Sequence, residues 1–557
     1  MNNRNKIIRH FDQREKSQRF LPRKLVRNDK IAIVFFLVCL FCFQNAFAKD
    51  FIFNVTDYGA KGDGLTLDTK AIQSAIDDAA VKGGKVILPG GKYLSGTLFM
   101  KSNVTIEISE GATLLGSTNI KDYPDTIPSL QSYNDAFLTQ SLIYGDNLEN
   151  ISITGRGTID GQGSAFKVTT RVKPDRYRNR PFVIRFIECK NILIENISMK
   201  NSAMWMQQYL ACEFLTVRGI NVYNHANQNN DMIDIDGCKN VIISDCFGDT
   251  DDDALTFKST SGKINENITV TNCVLSSHVN AIKFGTETIG GFKNVAISNI
   301  VVKPSSSKDK IYGLINGIGG IVLAIVDGGT MDGITISNIR IDGAQTPIFL
   351  RLGNRGRTIR ENMPKPDVGI VRNINISNVT ATNVSNIGSS ITGIPNHYIE
   401  NISLNNINIS YSGGGTKEDA EKIPPENEKE YPESDMFGTL PAYGFYIRHA
   451  KNISLNNIQL SYEEKDRRPA LYCNDIEDLN ISGLKAKADL NAESVIVFDD
   501  VKNAEINFSK SLNETKQFIK LSGNNNSNIK LIGNDFSNVK DVHNASEGII
   551  KYEGNLK

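Results

Sequence analysis

The chain is 557 residues long, 40% hydrophobic and 22% charged, with 45 Gly and 16 Pro. That composition excludes a disordered chain and suffices to bury a large core. The formal charge is zero, but residues 1–48 hold ten Lys or Arg against three acids; the rest carries 52 basic and 59 acidic residues, which gives no support to nucleic-acid binding.

Residues 31–43 (IAIVFFLVCLFCF) form an apolar run preceded by Arg23, Lys24, Arg27 and Lys30 and followed by Ala46-Phe47-Ala48. The run is short for a membrane span, and A-F-A before Lys49 fits a secretory cleavage site. Export to the periplasm or the outside is therefore expected, with Lys49 as the mature start and no stable membrane insertion afterwards. The long basic lead leaves an uncleaved anchor as the alternative.

Residues 51–117 open with FIFNVTDYGAKGDGLTLDTKAIQSAIDDAA. Asp68 or Thr69 can cap a helix whose Ala71, Ile72, Ala75, Ile76 and Ala79 fall at helical spacing, and Gly83-Gly84 end it. Strand-like runs follow, so this region reads as an N-terminal cap.

From residue 149 the chain repeats loosely on N-I-x-I-x-N-I. Copies start near Ile151, Ile192, Leu215, Val241, Ile268, Val295, Ile334, Ile374, Ile402, Ile453 and Leu479, as in NILIENI, NVAISNI and NISLNNI. The short spacings, near 25 residues, give a basic coil, and the long ones mark insertions. Alternating β-branched residues bounded by Asn and Gly at this period describe a solenoid of stacked parallel strands. Asn at one corner of successive coils can stack as a ladder. The expected fold is all-β, a right-handed parallel β-helix with an N-terminal capping helix, the hand being taken by analogy. The expected division is a leader over 1–48, a cap with the first coils over 49–117, and the solenoid over 118–557. Its inserted loops are 351–365, with four arginines including Arg351, and the Glu- and Pro-rich 411–445.

Cys189, Cys212, Cys238, Cys246, Cys273 and Cys473 flank the apolar strands at equivalent places in the repeat, and read as small buried residues rather than a disulfide framework. No CxxC or Cys/His cluster of zinc spacing occurs, and neither a metal nor a cofactor is expected.

Acid is concentrated in NNDMIDIDGCKNVIISDCFGDTDDDALTFKS, residues 229–259: Asp231, Asp234 and Asp236, then Asp251, Asp252 and Asp253, then Lys258. Taken alone, such a block is a solvated edge, a calcium site or a catalytic pair whose members hold their protons differently. Coils stack about 5 Å apart, so carboxyls at matched positions in adjacent coils converge. The following coil, SSHVNAIKFGTET, brings His278, Asn280, Lys283 and Glu287 alongside.

Here the sequence resembles glycoside hydrolase family 28, the polygalacturonases and rhamnogalacturonan hydrolases. The likeness rests on V-T-D-Y-G-A-K-G-D-G, on G-T-I-D-G-Q-G at 157–163, on N-S-x-x-W at Asn201 to Trp205, and on the acid block. Asn229-Asn230-Asp231 matches the family's N-T-D, and Asp252-Asp253 its D-D. The resemblance implies inverting hydrolysis of an acidic cell-wall polysaccharide by a monomeric enzyme, with Asp252 as general acid and Asp231 and Asp253 activating water. The family's G-H-G histidine position falls on Asn280, with His278 two residues earlier. Where R-I-K is expected the chain reads G-I-V-L-A-I-V, so Lys258, Lys283 or Arg351 is expected to meet the substrate's charge, unless the sugar at the cleavage point is neutral. Two other functions fit the same solenoid: a calcium-dependent polysaccharide lyase with Lys258 or Lys283 as base, and a non-catalytic glycan-binding adhesin. Trp205, the single tryptophan, is either a sugar platform or core.

Overall fold

The structure is a computed structural model, and it describes residues 51–557. The expected leader lies outside the described residues. Within them, 38 strands join one sheet, and paired strands run parallel. Strands paired in the sheet lie a full coil apart along the chain, and the fold is a right-handed parallel β-helix.

The sequence repeat and the structural repeat coincide. Ile151 pairs with Ile192, Ile192 with Leu215, and Leu215 with Val241. Val241 pairs with Ile268, Ile268 with Val295, and Val295 with Ile334. The column then continues through Ile374, Ile402, Ile453 and Leu479. These side chains point inward and are buried, with neighbours at alternate positions, as in Ile151 and Ile153 or Ile402 and Leu404. Stacking Ile, Val and Leu a strand apart is what selects register, because a slip of one residue would turn the whole column to solvent.

Asparagine holds the corners. Asn191 donates to Asn150, Asn267 to Asn240, Asn294 to Asn267, and Asn452 to Asn401. A second ladder runs from Asn272 through Asn299, Asn338, Asn378 and Asn406 to Asn457. Asn378 has φ of 54° and Asn406 of 55°. Asn tolerates this left-handed backbone while its amide both donates and accepts along the stack, which few residues can do.

The N-terminal helix spans Thr69–Lys82 and buries Ile72, Ala75, Ile76 and Ala79. Asp68 occupies its N-cap position without capping it; its carboxylate accepts from the Lys61 and Gly62 N–H groups and fastens the preceding loop. The six cysteines among the described residues are buried and free.

Candidate active site

Three successive coils build the acid cluster. The strands Ile233–Asp236, Leu255–Ser259 and Asn280–Thr288 stack with Asp234 on Thr256 and Thr256 on Lys283. Continuing that register to the turn before each strand aligns Asp231, Asp253 and Asn280 in one column. Asp252 sits one residue before Asp253. Its backbone carbonyl accepts from the Thr250 and Ser277 hydroxyls at 2.7 and 2.6 Å, which fixes the turn.

Asp231, Asp252 and Asp253 line one cleft together with Asn229, Lys258 and Trp205. Asn229 Nδ2 donates to Asp252 Oδ2 at 3.3 Å, and the Asp253 N–H to Asp252 Oδ1 at 3.0 Å. Lys258 Nζ lies 3.5 Å from Asp231 Oδ2 and 3.4 Å from Asp234 Oδ1. It also stands 4.7 Å from the centre of the Trp205 ring, so the indole is a wall of this cleft and a partner for the ammonium.

Charge is crowded here. Burial, then the charges of Asp231 and Asp253, push the Asp252 carboxyl well above the usual range. Burial and Asp234 do the same to Asp231, and burial raises Asp234 although Lys258 opposes it. Burial alone would lower Lys258, but Asp231 and Asp234 hold it well above its ordinary value, so it stays charged. One cation among four carboxyl groups leaves at least one of them protonated near neutrality. Glu287, also on the cleft, is the exception: burial would raise it, but Lys258, Arg357 and Arg355 outweigh burial and hold it down to about 2.

The other sequence candidates divide. Asn280 Nδ2 donates to Asp253 Oδ1 at 2.7 Å, so it stands beside the acids. Lys283 lies behind it, 3.2 Å from Glu433 Oε1. His278 turns the other way; it is fully buried against Asp251 Oδ1 at 2.9 Å and the Ser307 carbonyl at 3.2 Å. Arg351 belongs to the strand Thr346–Leu352 and donates to Thr392 and to the Gly393 and Glu426 carbonyls, away from the carboxylates. Asp236 is likewise structural in its contacts, accepting from Thr260 and Gln208. The segment G-I-V-L-A-I-V lies on the strand Gly319–Ile325, buried throughout, and offers no cation.

Three contributors carry no repeat signal. The long insertion before the strand Phe445–Glu464 folds back to place Tyr431 on the cleft and Glu433 against Asn280 and Lys283. Arg180 is buried beneath Asn229, donating to its Oδ1 at 3.3 Å and to the Ala203 carbonyl at 2.9 Å. Lys173 stands on the rim, and among the described residues no carboxylate pairs with it. Burial and then Arg357 lower its pKa.

The chain matches glycosyl hydrolases family 28 over residues 80–429. A probable polygalacturonase of Vitis vinifera is 29% identical over 382 residues, covering 65% of this chain and 75% of that protein. An exo-poly-alpha-D-galacturonosidase of Dickeya chrysanthemi is 27% identical over 304 residues, or 45% of this chain and 50% of that one. In fold, the chain is similar to the crystal structure of a hyperthermoactive exopolygalacturonase from Thermotoga maritima, with a TM-score of 0.54, 24% identity, and coverage of 65% and 88%. The family match spans the acid cluster and the coils that stack it, and on that ground the chain belongs to glycosyl hydrolases family 28 and is a glycosidase.

Proposed function

We propose that the protein is an exported, monomeric, inverting hydrolase of a pectin-type polysaccharide, galacturonan or rhamnogalacturonan, with the solenoid of residues 49–557 as its mature form. Asp252 is the general acid: it faces the cleft and its carboxyl is driven upward, so it carries the proton that the leaving oxygen needs. Asp231 and Asp253 hold and deprotonate the attacking water from the neighbouring coils. Lys258 keeps this pair tolerable by holding its ammonium 3.5 Å from Asp231. Asn280 orients Asp253 through its 2.7 Å hydrogen bond. The observation that carries this reading is the convergence of Asp231, Asp252 and Asp253 on one cleft from two stacked turns.

Recognition of an acidic sugar needs a cation that is free to meet it. Lys258 and Lys283 are each held by carboxylates of the protein, and Arg351 by loop carbonyls. Lys173 remains, and we assign it to the substrate's carboxylate in place of Lys258, Lys283 and Arg351.

The test is to incubate purified protein with homogalacturonan, rhamnogalacturonan and neutral galactan, following reducing ends and ultraviolet absorbance together. New reducing ends without absorbance, lost in Asp252→Asn, support the hydrolase. Calcium-dependent absorbance would instead mean a lyase, and turnover confined to neutral galactan would overturn the acidic substrate.

A further inference from the structure

Asp251 does not face the cleft with its neighbours Asp252 and Asp253, and where it points is informative. The strand Asn221–Asn224 pairs Asn224 with Thr250, and Thr250 pairs in turn with Ser277. The next residue on each coil is His225, Asp251 and His278, which therefore stack at intervals of 26 and 27 residues. Asp251 and His278 are fully buried, and the His225 side chain is 5% exposed.

We propose that His225, Asp251 and His278 bind a divalent transition cation of the zinc class. One ligand atom from each of the three comes within 4.8 Å of the other two. The tautomers follow from the outer contacts. His225 Nε2 faces Asp249 Oδ1 at 3.0 Å, and His278 Nε2 faces the Ser307 carbonyl at 3.2 Å. Both are acceptors, so each ring carries its proton on Nε2 and turns the Nδ1 lone pair inward. Those two Nδ1 atoms lie 4.0 and 2.9 Å from Asp251 Oδ1. A metal-bound histidine donates its other N–H to a carboxylate or a carbonyl in the same way. Zinc takes imidazole nitrogen and carboxylate oxygen at about 2.0–2.2 Å, which separates neighbouring ligands by roughly 3–3.5 Å, between the two spacings seen here.

Hydrogen bonds alone satisfy the cluster badly. Without a cation, His278 would need protons on both nitrogens to serve Asp251 and Ser307, and His225 Nδ1 would stay buried with no partner. An orphaned buried acceptor costs about 1–3 kcal/mol. A cation among the three atoms removes both faults. The Ile311 and Tyr312 N–H groups, at 2.7 and 3.0 Å, hold the Asp251 carboxylate in place as a ligand would need. Imidazole ligands favour zinc and its neighbours over calcium or magnesium. The interval of one coil explains why a search for short zinc motifs misses the site.

The cation would tie the segment after Val302 to the solenoid and act on the cleft by position. Ser305 and Ser306 donate to Asp249, and the Tyr312 hydroxyl donates to Gln228 Oε1 at 2.9 Å, next to Asn229. The ligands themselves do not line the cleft. This proposal does not depend on the glycan.

The experiment uses the full chain without a histidine tag, loaded with zinc, desalted, and assayed by elemental analysis. Thermal unfolding with Zn²⁺ or with a chelator, and visible absorption after Co²⁺ substitution, are measured on the same sample. About one equivalent of zinc, a higher midpoint with Zn²⁺ than with chelator, and a cobalt band typical of nitrogen and oxygen ligands are expected. His225→Gln should bind at least ~100-fold more weakly and lose the cobalt band. Absence of metal and of any midpoint shift in the wild type would overturn the site, with no need of the variant. An unchanged cobalt spectrum in a folded His225→Gln would overturn it equally, placing the ion elsewhere.

Discussion

Replacing Lys258 by Met removes the ammonium that stands 3.5 Å from Asp231 and 3.4 Å from Asp234, and leaves both carboxyls buried together. At an effective dielectric near 20 each contact is worth about 5 kcal/mol before the cost of burying the lysine is set against it. Removing one partner from a buried pair typically costs about 3–5 kcal/mol net. Unfolding entropy near 2 cal/mol/K per residue, summed over residues 51–557, comes to about 1 kcal/mol/K, so the midpoint should fall by about 3–5 °C. A solenoid that unfolds in smaller units would shift further, which makes this a floor. The penalty must also depend on pH. Asp231 and Asp234 are raised by folding, and more so without Lys258, so the folded state binds protons that the unfolded chain has released. Stability of the variant relative to wild type therefore recovers as pH falls toward the unfolded value of 3.8, and is worst above the folded values. The assay is thermal unfolding of Lys258→Met, Asp234→Asn and the double variant between pH 4.5 and about 8, upward from just above the unfolded value of 3.8. Asp234→Asn should restore part of what Lys258→Met loses. An equal deficit at both ends of the range, or a double variant no better than Lys258→Met, would refute the charge assignment.

Lys173→Ala should raise KM for galacturonan about 10-fold, the worth of one charge-assisted contact, with kcat little changed and no effect on the methyl-esterified polymer; initial rates on both substrates check it. Glu433→Ala strips the partner from buried Lys283 and one contact from Asn280, and should both lower turnover and speed proteolysis within 414–444, read by timed digestion. Asn378→Ala, at φ of 54° and bonded to Asn338 and Asn406, should cost about 1–2 kcal/mol, while Asn378→Gly loses the bonds without the backbone strain and should cost less. Differential scanning calorimetry separates the two. Thiol titration of residues 49–557 should find the six buried cysteines unreactive when folded and all reactive in denaturant.

The coil was legible because burial writes itself into a column. All eleven repeat starts from Ile151 to Leu479 fall in one register, since each must present an apolar branched side chain to the same interior line. The acid block could be located by the same argument but its members could not be aimed. Asp251, Asp252 and Asp253 are consecutive on a turn, and a turn sends them apart: Asp251 to His225 and His278, the other two to the cleft. His278 and Asn280 show the same limit, two residues apart yet buried on different contacts. Arg351 read as part of a loop because its neighbours are polar, but its strand begins at Thr346. Glu433, Tyr431 and Lys173 lie in insertions, where no period constrains the chain and only the folded contact reveals the role.

The stacking that gathers the carboxylates also makes them hard to keep. Two neighbouring coils set their acids a strand's width apart, and repulsion grows with every one that ionises. The solenoid answers from two sides. Lys258, from the same coil as Asp252 and Asp253, reaches back to Asp231 and Asp234; Glu433 arrives from the insertion to occupy Lys283, so that Asn280 bridges an acid of the coil and an acid of the loop. With both lysines committed to the protein's own carboxylates, the charge that remains uncompensated is on Asp252 and Asp253, at the open face of the cleft. That residual excess of acid is what drives the Asp252 carboxyl upward so that it keeps its proton, and a second free cation beside it would release it. A cation on an insertion at the rim, where Lys173 stands, leaves the proton of the acid cluster undisturbed, and the buried apolar strand Gly319–Ile325 adds none beneath it.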